Sequence, residues 1–309
     1  MKAYLLYEAG GPDKLTLGEV HKPALKNDEV LIKVKAIGIN PADTIYRDAF
    51  ITALFGKERP VILGWDISGE IIEKHNHTDG FELGDEVLAL LPNAHGYAEF
   101  VAVNVAVLAH KPKHISFEEA AAIPMAGLTA WQPLTHGMNI QKGDKILIHG
   151  ASGGVGHYAV QIAKHLGAEV IATSSGRNRE FIISLGADKH IDYQTQDFRE
   201  VVKDVDFVFD TIGGETLEHS IDVTKPGGTV ISILALTNEN IKSKAKEKNV
   251  NLSLWGMRPS REDLRAIANL MSKGVIKSCI AETYPFTAMA EAHAQIETRR
   301  TAGKIVVKV

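Results

Sequence analysis

A chain of 309 residues is longer than one hydrophobic core usually organises, so two domains are expected. Hydrophobic residues make up 45% and charged residues 23%, and 34 Lys and Arg stand against 38 Asp and Glu. That is a globular profile with net charge −4, lacking the basic balance of a nucleic-acid binder. The single cysteine, Cys279, excludes an intrachain disulfide and a cysteine-rich metal site. Glu8 and Asp13 interrupt the N-terminus before a signal-like apolar core forms, and the longest uncharged run, residues 120–134, contains Pro124 and Pro133 and is too short to span a bilayer. A cytoplasmic location is expected.

In chain order, short β-like runs at 3–7, 29–37, 67–72, 86–91 and 99–103 alternate with turn signals, which suggests a mainly β domain. The pattern changes near residue 118. Residues 145–149 read as a strand buried on both faces, and Val155, Ala159, Ile162, Ala163 and Leu166 fall on one helical face that ends at Gly167. Strands at 170–173, 190–191, 205–209, 229–234 and 251–255, with a helix at 178–185, continue a βα alternation of the kind that makes a parallel sheet. The tail returns to another pattern, with a helix from Ser260, a helix at 287–297 and a final strand at 304–309.

The stretch GASGGVG, residues 150–156, follows the first of the βα strands and opens a helix. Read as Ala151-x-Gly153-x-x-Gly156, it is an Ala-for-Gly variant of the dinucleotide motif. Gly153 lets the backbone approach a pyrophosphate, Gly156 lets the helix pack on the strand, and the free N–H groups of Ser152, Gly153, Gly154, Val155 and Gly156 form the cradle. Past the second strand an NAD site normally carries an acid. Here Thr173-Ser174-Ser175-Gly176-Arg177-Asn178-Arg179 holds two arginines and several hydroxyls, with no acid before Glu180. Such a set suits a 2′-phosphate, so NADPH is the expected cofactor.

As a whole, the chain resembles the medium-chain dehydrogenase/reductase superfamily, in particular its zinc-independent quinone oxidoreductase-like branch. The resemblance rests on AIGINPADTIYR (36–47), GWDISGEI (64–71), AAAIPMAGLTAWQPL (120–134), ILIHGASGGVG (146–156), LGADKHIDY (185–193), KPGGTVISI (225–233) and GKIVVKV (303–309). It implies an α/β protein with a β-rich GroES-like substrate domain at 1–117 and 258–309. A Rossmann domain, a doubly wound parallel sheet, is implied at 118–257. Zinc-dependent relatives carry a cysteine ligand where this chain has Asn40 and a His-Glu pair where it has Trp65-Asp66. Those positions do not supply three zinc ligands, so a metal-free site is expected.

Hydride transfer to a quinone or an α,β-unsaturated carbonyl is the chemistry that needs no Lewis acid, because the acceptor itself delocalises the developing charge. The resemblance places Asn40 beside the nicotinamide and the substrate carbonyl, with Asp43 orienting the loop and Tyr46 as a candidate proton or oxyanion donor. Solvent protonation competes with that last role. It gives Thr129 a cofactor contact, puts Ser174, Arg177 and Tyr193 around the 2′-phosphate, and lines the ribose and nicotinamide with Ile212, Ile233 and Leu234. Plainer readings stand beside these: Asn40 as a loop-bonding amide, Asp43 as a turn or N-cap residue, Tyr193 as a half-buried structural tyrosine. Phe50, Ile51, Leu54 and Phe55 read either as a pocket wall or as core. A homodimer is expected, with 251–255 as the strand for pairing sheets. A non-catalytic NADPH-binding redox sensor and an enoyl-thioester reductase are the alternatives; the second needs a basic entry surface, and Arg47, Lys57 and Arg59 are scattered.

Overall fold

The structure is a computed structural model that describes every residue except 51, 54, 55, 57 and 235–238. Of the apolar set at 50–55, Ile51, Leu54 and Phe55 therefore lie outside the described residues, as does Lys57, and Phe50 is exposed.

The chain begins with an antiparallel ribbon of β1 (Lys2–Leu6) and β2 (Leu15–Glu19). Next come β3 (Glu29–Ile39), the short helix α1 (Pro41–Ile45), β4 (Asp66–Lys74), β5 (Glu86–Leu90), β6 (Phe100–Asn104), β7 (Leu108–His110), α2 (Phe117–Ala121) and α3 (Pro124–Gln132). The alternating stretch holds β8 (Lys145–Ile148), α4 (Gly156–His165), β9 (Glu169–Ser174), α5 (Arg179–Ser184), β10 (Lys189–Asp192) and α6 (Phe198–Val201). It continues through β11 (Val205–Asp210), α7 (Gly214–Val223), β12 (Thr224–Ser232), α8 (Glu239–Glu247) and β13 (Asn251–Leu254). Last are α9 (Arg261–Ser272), β14 (Ile280–Pro285), α10 (Met289–Glu297) and β15 (Lys304–Lys308). No helix among the described residues is long and apolar enough to cross a membrane.

The chain divides into two compact units, Met1–Leu128 with Pro259–Val309, and Thr129–Arg258. Residues 118–128, placed by the change of pattern with the second domain, fall in the first. The reason is local: Ser116 and Glu119 form a capping box that starts α2, and the helix packs on the first unit's sheet at Ala121, Ala122, Ala36 and Val306. Gly38 on β3 permits this approach, since a Cβ there would strike the Ala121 carbonyl.

In the first unit the sheet runs β14-β15-β3-β4-β5-β7. β6 pairs with the first half of β3 (Glu29–Lys33) and β15 with its second half (Ala36–Ile39), so both use the same edge of one long strand. β15 is thereby set beside the end of β3, with Ile305 opposite Ile39. The second unit has a parallel sheet in the order β10-β9-β8-β11-β12-β13, the order of a doubly wound dinucleotide-binding sheet. Its inner face buries Leu147, Ile171, Val208 and Val230 against Leu217, Ile221 and Ile241 from the covering helices. The order reverses between β8 and β11, where such sheets bind nucleotides at the carboxyl ends of their strands.

Candidate active site

Two constellations carry chemistry, one in each unit. In the second unit, the glycine loop leaves β8 at Gly150, whose φ of +64° is the left-handed region that favours glycine. Space is also tight there, because a Cβ at Gly150 would strike Thr211 Oγ1 and lie 3.0 Å from Ile212 Cδ1, in the loop after β11. Thr211 Oγ1 in turn donates to the carbonyl of His149 at 2.9 Å. The loops after β8 and β11 are thus tied together at the reversal point. A Cβ on Gly156 would strike the Gly150 carbonyl and come within 2.7 Å of the Ala151 Cα, whereas one on Gly153 would meet only the Gly150 carbonyl, at 3.3 Å. Gly156 is therefore required for packing, and Gly153 leaves open backbone. Gly154 and Val155 have no acceptor for their N–H groups among the described residues, and they precede the first turn of the ten-residue α4.

Ser152 Oγ accepts from Asn178 Nδ2 at 3.0 Å, which ties the glycine loop to the turn after β9. Ser174, at the end of β9, is buried, and its hydroxyl meets His190 Nε2 at 2.8 Å and the Ser175 carbonyl at 3.2 Å. Burial holds His190 below its ordinary value, partly opposed by Asp192. Arg177 and Arg179 are exposed beside it. Tyr193 is 63% exposed, which removes the reading of a half-buried structural tyrosine. An acid reaches this segment from β10: the Asp192 carboxylate lies against Gly176, within 2.5 Å of where a Cβ would stand.

Beyond β11, buried Asp210 accepts the N–H groups of Ile212 and Gly213 and the hydroxyl of Ser232, so one carboxylate shapes the loops after both β11 and β12. Ile212 and Leu234 are left 53% and 42% exposed beside them, Ile233 half-buried. Asp210 is a site residue that reading the sequence missed, although an acid at a strand end before Thr-Ile-Gly-Gly is an Asx-turn signal. Thr129 is half-buried on α3, the first residue of this unit.

In the first unit, Asn40 ends β3 and is the N-cap of α1, with 3% of its surface exposed. Its backbone N–H donates to Asp43 Oδ2 at 2.9 Å, so Asp43, at the third position of α1, holds the start of the helix. The Asn40 side chain does not cap. Its Nδ2 donates to Asp66 Oδ2 at 2.9 Å and its Oδ1 accepts from Lys304 Nζ. Because an ammonium only donates and a carboxylate only accepts, the carboxamide has one permitted orientation. Asp66 takes the Met125 N–H on its other oxygen, at 2.8 Å.

Behind Asp43 stands a directed chain. Arg47 Nη1 only donates, so His293 Nδ1, 2.9 Å away, accepts; His293 Nε2 then carries the proton and donates to the Tyr97 oxygen at 2.8 Å. Tyr97 completes it by donating to Asp43 Oδ2 at 2.8 Å. Burial, with Arg47 adding to it, pushes His293 down to about 3, so it is neutral. Arg47 is 2% exposed and also bonds the Gly10 carbonyl and Glu297. It is a buried structural cation and adds nothing to a basic entry surface, which the scattered Arg47, Lys57 and Arg59 did not suggest in the sequence either. Arg59 is half-buried and bonds Thr52 Oγ1 and the carbonyls of Gly56 and Glu58. Tyr46 opens a π-helical turn after α1, its ring 5.1 Å from that of Trp65 and 6.5 Å from that of Phe50. Its hydroxyl has no partner among the described residues.

Desolvation raises Asp43 to about 7 and Asp66 to about 6, each partly opposed by hydrogen bonds and by Lys304. The folded chain therefore keeps a proton on Asp43 that the unfolded chain has lost above about pH 4. The associated stability is present below that value and disappears as pH rises through about 7. Asp43→Asn, which mimics the protonated form, is expected to gain stability relative to the parent by roughly 1 kcal/mol per pH unit between pH 4 and 7. Urea midpoints of the two proteins across that range check it; parallel curves contradict the assignment.

This donor set does not fit a zinc ion. It offers an amide and a carboxylate that already bond each other, with a buried ammonium where a cation would sit. Among the described residues no three His, Cys, Asp or Glu side chains are grouped to hold a metal.

Two family models match the chain. Residues 26–113 match the family described as "Alcohol dehydrogenase GroES-like domain", and residues 185–307 that described as "Zinc-binding dehydrogenase". The chain is 32% identical to the "Chloroplast envelope quinone oxidoreductase homolog" of Arabidopsis thaliana, over 97% of this chain and 95% of that one. It is also 32% identical to the "NADPH-dependent alkenal/one oxidoreductase, chloroplastic" of the same plant, over 99% of this chain and 79% of that one. Among solved structures, the quinone oxidoreductase from Coxiella burnetii superposes with a TM-score of 0.93 at 34% identity, covering 100% of this chain and 99% of that one. With this likeness over nearly its whole length, the chain is an oxidoreductase of the medium-chain dehydrogenase/reductase superfamily and belongs to its quinone oxidoreductase branch.

Proposed function

We propose that the protein is an NADPH-dependent reductase that delivers hydride, without a metal ion, to a quinone or to the β-carbon of an α,β-unsaturated carbonyl. The observation that carries this reading is the Asn40 carboxamide. It is buried and locked by Asp66 and Lys304, and its second amide hydrogen is left for an acceptor oxygen. The names of the relatives, a quinone oxidoreductase homolog and an alkenal/one oxidoreductase, support the acceptor class.

The loop of Ser152, Gly153, Gly154, Val155 and Gly156 fits a pyrophosphate, and Thr129, Ile212, Ile233 and Leu234 are the side chains proposed for the ribose and nicotinamide. A reduced nicotinamide dinucleotide held there supplies the hydride. The carbonyl oxygen of the acceptor gains negative charge as hydride arrives, and the N–H of Asn40 stabilises that oxyanion. Asp43 holds the backbone of Asn40. Tyr46, whose hydroxyl has no partner among the described residues, is the side chain assigned to return a proton. An active chain would consume NADPH with 2-alkenals or quinones after chelator treatment; a chain that binds NADPH yet turns over none of a broad panel contradicts the reading.

For cofactor choice, Ser174, Arg177 and Tyr193 are assigned to the 2′-phosphate. Arg177→Ala is expected to raise the KM for NADPH about tenfold and leave that for NADH within about twofold, the loss of one charge-assisted hydrogen bond. Equal effects on both cofactors remove the assignment. A homodimer is proposed through β13, an exposed strand that pairs only with β12 among the described residues, leaving an open sheet edge.

A further inference from the structure

We propose that Lys304 is the positioning residue that sets Asn40 for the reaction. The assignment rests on the reading of Asn40 as the donor to the acceptor oxygen and adds what holds that donor in place. Lys304 is the first residue of β15, and the pairing of β15 with the end of β3 carries its side chain to the point where β3 stops and Asn40 begins. Only 3% of its surface is exposed. Burying an ammonium is costly unless its hydrogens are satisfied. Here they meet the Ile39 carbonyl at 3.1 Å and Asn40 Oδ1, with Asp66 Oδ2 at 3.7 Å as the counter-charge.

The consequence falls on the carboxamide. Its oxygen is drawn to the ammonium and one N–H to Asp66, so a flip would set donor against donor and acceptor against acceptor. One N–H is left over, the one polar group of Asn40 with no partner among the described residues. Among the described residues, Lys304 bonds the Ile39 carbonyl and Asn40 Oδ1 at the end of β3, with the carboxyl groups of Asp66 from β4 and Asp43 from α1 acting on it as charges. With two protons directed at the Ile39 carbonyl and Asn40 Oδ1 and its charge toward Asp66, Lys304 acts through Asn40. Desolvation lowers its affinity for a proton, and Asp66 and Asp43 oppose that in part.

The test is a double-mutant cycle between Lys304→Met and Asn40→Ala in the full-length protein, with NADPH affinity measured by nicotinamide fluorescence and kcat/KM measured for a 2-alkenal and a quinone. In the Asn40 background, Lys304→Met is expected to lower acceptor kcat/KM by about 30-fold, a large part of what one oxyanion donor contributes, with NADPH affinity unchanged. In the Asn40→Ala background it is expected to cost nothing further. The acid limb of the pH profile should also move upward in Lys304→Met, since Asp66 loses its counter-charge. Additive losses, or an unmoved acid limb, mean that Lys304 only supports the fold and overturn the proposal. Should Lys304→Met fail to fold, Lys304→Arg replaces it in the same cycle, with about a tenfold loss expected beside Asn40 and none beside alanine. A parent protein that turns over no acceptor overturns both this assignment and the functional reading. One that turns over normally while Lys304→Met matches it overturns the assignment alone.

Discussion

Asn40→Ala is expected to lower kcat for both 2-alkenals and quinones by about 100-fold while leaving NADPH affinity unchanged. Loss of a single preorganised oxyanion donor costs about that much, and the glycine cradle belongs to the other unit of the chain. Asn40→Asp is a sharper control, because it keeps an acceptor for Lys304 but removes the N–H and sets a carboxylate against Asp66. Its kcat should be no better than that of the alanine variant. Steady-state kinetics with both acceptor classes decide the matter, and a kcat within about threefold of the parent's in either variant sinks the role of Asn40.

Gly156→Ala is expected to abolish measurable NADPH binding and to cost about 2 kcal/mol of stability. The new Cβ would meet only backbone, at the Gly150 carbonyl and at 2.7 Å from the Ala151 Cα, and backbone cannot step aside as a flexible side chain can. Gly153→Ala separates packing from binding. Its Cβ would touch the Gly150 carbonyl at 3.3 Å, so the fold should persist while the methyl group holds the pyrophosphate off the backbone. Thermal unfolding and cofactor titration of the two variants give the comparison. A Gly156→Ala protein with parental NADPH affinity contradicts the place of this loop in the cradle.

Local periodicity made much of the second unit legible. The strands at β8, β9, β10, β11, β12 and β13 and the helix after GASGGVG were each visible, because a strand buried on both faces and an amphipathic helix write their pattern within a dozen residues. The helices α7 and α8 were not marked, and neither were the strands β2, β7 and β14, which are short or weakly patterned. The residues around Asn40 were hidden for a different reason. Asn40 and Lys304 lie 264 positions apart, and Arg47 and His293 lie 246 apart. No spacing rule reaches that far, so Lys304 read only as the first residue of the final strand and Arg47 only as one of three scattered basic residues. Asp66 was noticed for the zinc ligand it is not; its hydrogen bonds to Asn40 and Met125 come from the register of β3 on β4 and the approach of α3.

The central claim is hydride transfer to an electron-poor acceptor by a site that works without a metal ion. Its most direct measurement uses NADPH deuterated at the transferring position of nicotinamide C4, a 2-alkenal, and protein dialysed against a strong chelator, with the product examined by mass spectrometry and NMR. The expected result is full turnover, with one deuterium on the β-carbon and the aldehyde intact. Loss of turnover on chelation, or deuterium on the carbonyl carbon of an allylic alcohol, contradicts it.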